Sequence, residues 1–283
     1  MSEPRERLFE LRAGRFRALE WAGEGPGVLF LHGLAGVAEV WGPTIEALRA
    51  HRLRCVAIDQ RGHGHSARPA EGYGIGNFVA DALGTMKALG LERPHLVGHS
   101  MGARVAMVLA ARHPEAIRSV AIVDIGPEEW KANWQQSVAA FDRMPASWPD
   151  PETAIGNAGR ARPGSSLDSA LSSESLRAVA LARLRTLPDG CVEWLADREA
   201  LKKTVVSHRS RNYWRDWEAL GADALFIRGG DSNEVRAEVA AKMRTRNPRV
   251  RYAEFEGVGH NIPLLAPSRL AAELRGFWES LGD

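Results

Sequence analysis

The run "LVGHSMGARVA" places Ser100 between two glycines, Gly98 and Gly102, where an apolar stretch gives way to a helical pattern. A serine in this G-x-S-x-G spacing, between a strand and a helix, is suited to nucleophilic attack on a carbonyl. The glycines answer to crowding, because the serine occupies a strained turn and side chains two residues either side would strike the neighbouring strand and helix. The following helix aims its N-terminal amides at the same point, where they favour a developing oxyanion. A hydroxyl is a poor nucleophile until a base takes its proton, and imidazole titrates near neutrality. Nine histidines compete for that part. A carboxylate is needed in turn to fix the imidazole tautomer and to stabilise the imidazolium.

The elements that must position such groups alternate along the chain. Apolar runs "GVLFLHG", "CVAID", "HLVGHS", "SVAIVD", "ADALFIRG" and "RVRYAEF" read as strands, and helix-period segments such as "GNFVADALGTMKALG" and "RAEVAAKMRTRNP" lie between them. This alternation predicts an α/β fold with a mostly parallel sheet covered on both faces. The opening "LFELRAGRFRALEW" predicts an antiparallel edge hairpin turning at Ala13-Gly14. Between Gly126 and Trp217 no strand run is visible and several helical patterns are, so residues 127–217 are expected to form a helical cap inserted into a core of residues 1–126 and 218–283. The segment holds six of the nine tryptophans and balances thirteen basic against twelve acidic residues.

Composition narrows the function classes. A chain of 283 residues with 45% hydrophobic content can bury a full core. Its formal charge of +2 gives no support to a nucleic-acid partner. No run approaches the roughly 20 apolar residues of a membrane span, and "MSEPRERLFE" lacks the apolar stretch of a signal peptide, so a cytoplasmic location with no membrane partner is expected. Two cysteines are too few for a disulfide framework or a zinc site, and neither Cys55 nor Cys191 has the setting of a nucleophile. "RGHGHS" lacks the G-K-[ST] ending of a phosphate loop. Neither a metal nor an organic cofactor is implied.

Four motifs in order, "FLHGLAG", "DQRGHGHS", "GHSMG" and "GVGHNIPLLAP", resemble the α/β-hydrolase superfamily over nearly the whole length. The resemblance implies an eight-stranded sheet with a cap after strand 6. It also implies Ser100 as nucleophile, His260 as base, and the amides of Leu34 and Met101 as the oxyanion hole. His32 then belongs to the oxyanion loop, His63 and His65 to the strand 4 loop together with a structural Asp59, and His99 points away from Ser100.

The acid departs from the family's commoner pattern. After strand 7, counting from Gly229, the usual positions hold Ser232 and Asn233 in "RGGDSNEV". Asp124, ending strand 6 in "VDIGP", is the expected acid, because some capped members place theirs there; Asp231 is the alternative, ahead of Glu234. The expected reaction is hydrolysis of a small carboxylic ester, lactone or amide through an acyl-enzyme. Carbon–carbon bond hydrolysis, cofactor-free perhydrolysis and non-catalytic ligand binding are the alternatives. His32, Trp130, Trp134, Arg143 and Trp214 are candidate substrate contacts, and Arg143, Arg160, Arg162 and the run from Arg198 to Arg215 are candidate carboxylate anchors set against a solvated-surface role.

Overall fold

The computed structural model describes residues 3–49, 52–128, 131–160, 174–209, 211–221 and 223–282. Eight strands form one sheet in the order β1-β2-β4-β3-β5-β6-β9-β10. They are β1 (Arg5–Leu11), β2 (Gly14–Trp21), β3 (Gly27–Leu31), β4 (Arg54–Ile58), β5 (His95–His99), β6 (Ser119–Val123), β9 (Ala224–Gly229) and β10 (Arg251–Phe255). β2 runs antiparallel to both its neighbours and all the other pairings are parallel. The opening hairpin pairs Leu11 with Gly14, so the turn is Arg12-Ala13, one residue earlier than expected; Gly14, at φ +119°, is already the first paired position.

The central strands β5, β6 and β9 are buried at every position and mostly apolar because both faces are covered. Leu29, Leu31, Leu96, Val120, Ile122 and Phe226 face one core layer, closed by α2 (Ile75–Leu89) and α3 (Met101–Arg112). Val28, Phe30, Val97, Ala121, Val123, Leu225 and Ile227 face the other, closed by α1 (Gly42–Leu48) and α11 (Pro267–Glu279). The period-2 alternation of a strand thus feeds two separate layers from the same runs. Strand order reverses at β3, which lies between β4 and β5, and a crevice opens at the carboxyl ends of strands at such a point.

From β6 the chain leaves the sheet and returns at β9. The described residues between them form α4 (Lys131–Arg143), α5 (Pro151–Arg160), α6 (Glu174–Leu181), α7 (Arg198–Arg209) and α8 (Trp214–Ala219). They also form a small antiparallel hairpin, β7 (Leu184–Thr186) with β8 (Val192–Trp194), where only helices were expected. Three-residue strands are too short to show a period, and only the turn residues Pro188-Asp189-Gly190, with Gly190 at φ +84°, mark the place. Trp148 and Trp194 meet edge to face at 5.9 Å beside this hairpin. α8 packs on the sheet's own layer: Trp217 stands edge-on to Phe226, and its indole donates to the carbonyl of Met243 at 2.9 Å. No helix among the described residues is long and apolar enough to cross a membrane.

Candidate active site

Ser100 sits at the β5–α3 junction with φ 53° and ψ −118°, a conformation a side chain rarely adopts. Its neighbours leave no alternative. A Cβ on Gly98 would lie 2.3 Å from the carbonyl oxygen of Gly102, and one on Gly102 would lie 2.3 Å from that of Leu31. The turn is pinned to the next strand by the Ser100 amide, which donates to the carbonyl of Val123 at 2.9 Å.

His260 follows β10 and brings Nε2 to 3.0 Å from the Ser100 hydroxyl. Its Nδ1 lies 2.6 Å from Oδ2 of Asp124, a fully buried carboxylate just beyond β6 at φ 54°. The histidine therefore donates through Nδ1 and presents Nε2 to the serine as an acceptor. Asp124 is held from the β9 loop as well. The amide of Gly229 donates to Oδ1 at 2.8 Å, and the hydroxyl of buried Ser232 donates to Oδ2. The stretch "RGGDSNEV" thus supplies donors to the carboxylate and no acid of its own: Asp231 and Asn233 are exposed, and the Asp231 amide is bonded to the carbonyl of Val258.

Leu34 and Met101 line one small cavity together with Ser100. Met101 opens α3, where the first amides have no acceptor within the helix. The preceding Gly33 lies so close that a Cβ there would stand 3.1 Å from that of Ser100. Such a pair of amides can hold a negatively charged oxygen formed on a carbonyl attacked by Ser100.

The other histidines secure the loops. His99 lies against His260, ring centroids 4.8 Å apart, and its Nε2 donates to the His260 carbonyl at 2.8 Å. Burial and the neighbouring His260 hold His99 well below the ordinary histidine range, so it is neutral. His32 donates from Nδ1 to the Gly33 carbonyl at 2.7 Å and accepts the Gln60 amide at Nε2 at 3.0 Å; burial pushes its pKa down to about 4. It is a latch between the β3 and β4 loops, with both ring nitrogens occupied, and not the substrate contact expected. His63 stands 5.1 Å from its ring and is pushed down to about 3 by burial and by His32. Asp59 accepts the amides of Ala38 and His65 and the Arg17 guanidinium, a loop-tying role as expected.

A family model for the alpha/beta hydrolase fold matches residues 26–267. The chain belongs to the α/β-hydrolase fold family. Among curated relatives of this hydrolase is the 2-(acetamidomethylene)succinate hydrolase of Mesorhizobium japonicum, 27% identical over 260 residues that cover 87% of this chain and 85% of that one. An esterase of Mycobacterium tuberculosis is 26% identical over 280 residues, covering 96% and 89%. The crystal structure of E-2-(acetamidomethylene)succinate hydrolase superposes with a TM-score of 0.88 at 24% identity over 98% of this chain and 99% of that one, a likeness of fold. The relatives are named hydrolase and esterase, and this chain is an enzyme of the α/β-hydrolase fold.

The hydrolase's small cavity is walled by Leu34, Met101 and Ile125 from the core and by Thr204, Val205 and His208 from α7, with Arg104 of α3 reaching it as well. Of the expected substrate contacts, Trp214 is turned elsewhere: its indole donates to Glu128 at 2.7 Å and its ring is covered by Lys242 and Arg246. Its place on α8, beneath the core layer, keeps it out of the cavity wall. Arg143 is exposed at the end of α4. Trp130 and Arg162 lie outside the described residues, as do the side chains of Trp134 and Arg160. Thr204, Val205, His208 and Arg104 were not anticipated. Arg104 lies one helical turn beyond Ser100, and that spacing was the available clue.

Proposed function

We propose that the enzyme is a serine hydrolase of small carboxylic esters, lactones or amides, working through an acyl-enzyme. Ser100 attacks the carbonyl carbon as His260 takes its proton through Nε2, and the amides of Leu34 and Met101 hold the oxyanion. His260 then returns the proton to the leaving oxygen or nitrogen, and the same steps with water free the acid. Asp124 keeps the imidazole in the tautomer that leaves Nε2 open and offsets its charge when it is protonated. The helices and hairpin inserted between β6 and β9 act as a cap that roofs the pocket and limits the acyl group.

The observation that carries this reading is the continuous chain of hydrogen bonds from the Ser100 hydroxyl through His260 to Asp124, with Asp124 held in turn by Gly229 and Ser232. The relative named as an esterase and the one named for an acetamido substrate favour ester and amide bonds. A fluorophosphonate probe tests it: the expected outcome is one phosphonyl group per chain, mapped by mass spectrometry to Ser100 and absent from S100A. A folded wild-type sample that stays unlabelled would overturn the nucleophile and return the fold to a binding role.

A further inference from the structure

Two of the donors to Asp124, the Gly229 amide and the Ser232 hydroxyl, come from the loop that leaves β9, so the shape of that loop decides whether they arrive. Within it the Ser232 amide donates to the Gly229 carbonyl at 3.0 Å, and the Ser232 hydroxyl oxygen accepts the Glu234 amide at 3.1 Å, which leaves the hydroxyl proton for Asp124. The same loop touches the segment that carries His260. The Asp231 amide donates to the carbonyl of Val258 at 3.1 Å, and a Cβ on Gly229 would lie 2.6 Å from that oxygen and 2.8 Å from the carbonyl oxygen of Gly259. One turn of chain thus meets both the carboxylate and the approach to the imidazole.

The side chain that fastens this loop is Arg228, the penultimate residue of β9 and only 5% exposed. Its Nε donates to the carbonyl of Val235 at 2.8 Å and its Nη2 to that of Gly230 at 3.1 Å, so a single guanidinium spans the two ends of the loop. Its Nη1 pairs at 3.0 Å with Glu254, its register partner on β10. A planar fork of fixed donors holds two carbonyls at a set separation, which a compact ammonium does not. A buried ion pair is weak ground for stability, because desolvation offsets the attraction. What Arg228 fixes is geometry: the separation of Gly230 and Val235, and with it the place of Ser232 between them.

We propose that Arg228 is a positioning residue for Asp124, acting through the 230–235 loop to hold the Gly229 amide and the Ser232 hydroxyl on the carboxylate. None of its described contacts is to Ser100, His260 or Asp124. The proposal rests on the serine-hydrolase reading above and adds a residue that the reading does not use. With the loop fastened, the two donors keep one orientation of the carboxylate toward Nδ1 of His260. With the loop released, Ser232 moves off and the carboxylate turns, so the chemical step slows while binding in the cavity is untouched.

R228M, R228K, S232A and the double variant R228K/S232A test this on p-nitrophenyl acetate, with rates referred to the folded fraction read by circular dichroism. Each single change is expected to lower kcat about tenfold with KM within about twofold of wild type. R228K keeps the charge and the Glu254 pair but loses the span of two carbonyls, so it decides the matter if R228M does not fold. The double variant is expected to lie no more than about twofold below S232A, because both changes remove the same contact, whereas independent losses multiply to about 100-fold. E254Q leaves both carbonyls held and is expected to stay within about threefold of wild type. Wild-type kcat in R228K, a multiplicative double variant, or a loss in E254Q equal to that in R228K would each overturn the proposal. Wild-type turnover in S100A would instead overturn the serine-hydrolase reading, a separate failure read from a separate variant.

Discussion

Asp124 is the residue on which the proposed chemistry turns, because its carboxylate is fully buried and every contact described for that carboxylate is a donor. In D124N the remaining oxygen can still accept from Gly229, but an amide nitrogen then faces Nδ1 and forces the imidazole into the tautomer that blocks Nε2. A loss of about 10⁴ in kcat on a p-nitrophenyl ester is expected, with the folded state retained. D231N is expected to stay within about threefold of wild type, since an exposed surface change away from the site has little to act on. S232A falls between them, roughly tenfold down, by removing one hydrogen bond to a charged group. Steady-state kinetics on the three variants checks the order; turnover lost in D231N and kept in D124N would move the acid to the β9 loop.

At the scale of elements, the β3 and β4 loops are tied by a neutral histidine pair, and that tie has a pH dependence. His32 and His63 have folded-state values of about 4 and about 3 against an ordinary 6.5, so the unfolded chain binds more protons than the folded one as pH falls below 6.5. Their contribution is complete well above that pH and is lost on acidification, about 2 kcal/mol from each between about pH 7 and pH 4.5. Urea unfolding at the two pH values is expected to show the drop, with a shallower one in H63N. A slope unchanged in H63N would remove His63 from the account. These loops also mark how far the sequence reaches. The strand runs and the Gly98-Ser100-Gly102 turn were legible because sheet alternation and the steric demand at Ser100 are local. The donors to Asp124 were not, because Ser232 and Gly229 approach it only through the β6–β9 register that sets Val123 beside Ile227. The β7–β8 hairpin was too short to carry a period, and the packing that sets Thr204 and Val205 of α7 beside Ser100 leaves no trace in spacing.

For the whole molecule, the decisive relation is between a fixed sheet edge and the inserted segment above it. β3, β5, β6 and β10 deliver the Gly33-Leu34 loop, Ser100, Asp124 and His260 from a core closed on both faces, so the distances among these proposed catalytic groups are set by the sheet. The cavity's far wall belongs to α7, which is fastened to the β4 loop: Arg68 donates to the carbonyl of Leu195 at 2.6 Å, the Asp197 amide to that of Gly62 at 3.0 Å, and Lys203 pairs with Glu71 at 2.8 Å. With the wall held there, the small space between Ser100 and Val205 suits a short acyl chain. Each further methylene then meets Val205 or must displace α7, and one methylene in a filled pocket is worth about 1–3 kcal/mol. Across neutral p-nitrophenyl esters, kcat/KM is therefore expected to peak at short acyl chains and to fall roughly tenfold or more by about eight acyl carbons. V205A removes bulk from the wall facing Ser100 and leaves the hydrogen-bonding groups of the sheet edge in place. Its optimum is expected to move about one or two carbons longer. An optimum that stays put in V205A would mean that the inserted segment opens freely during turnover and that the core alone sets acyl length.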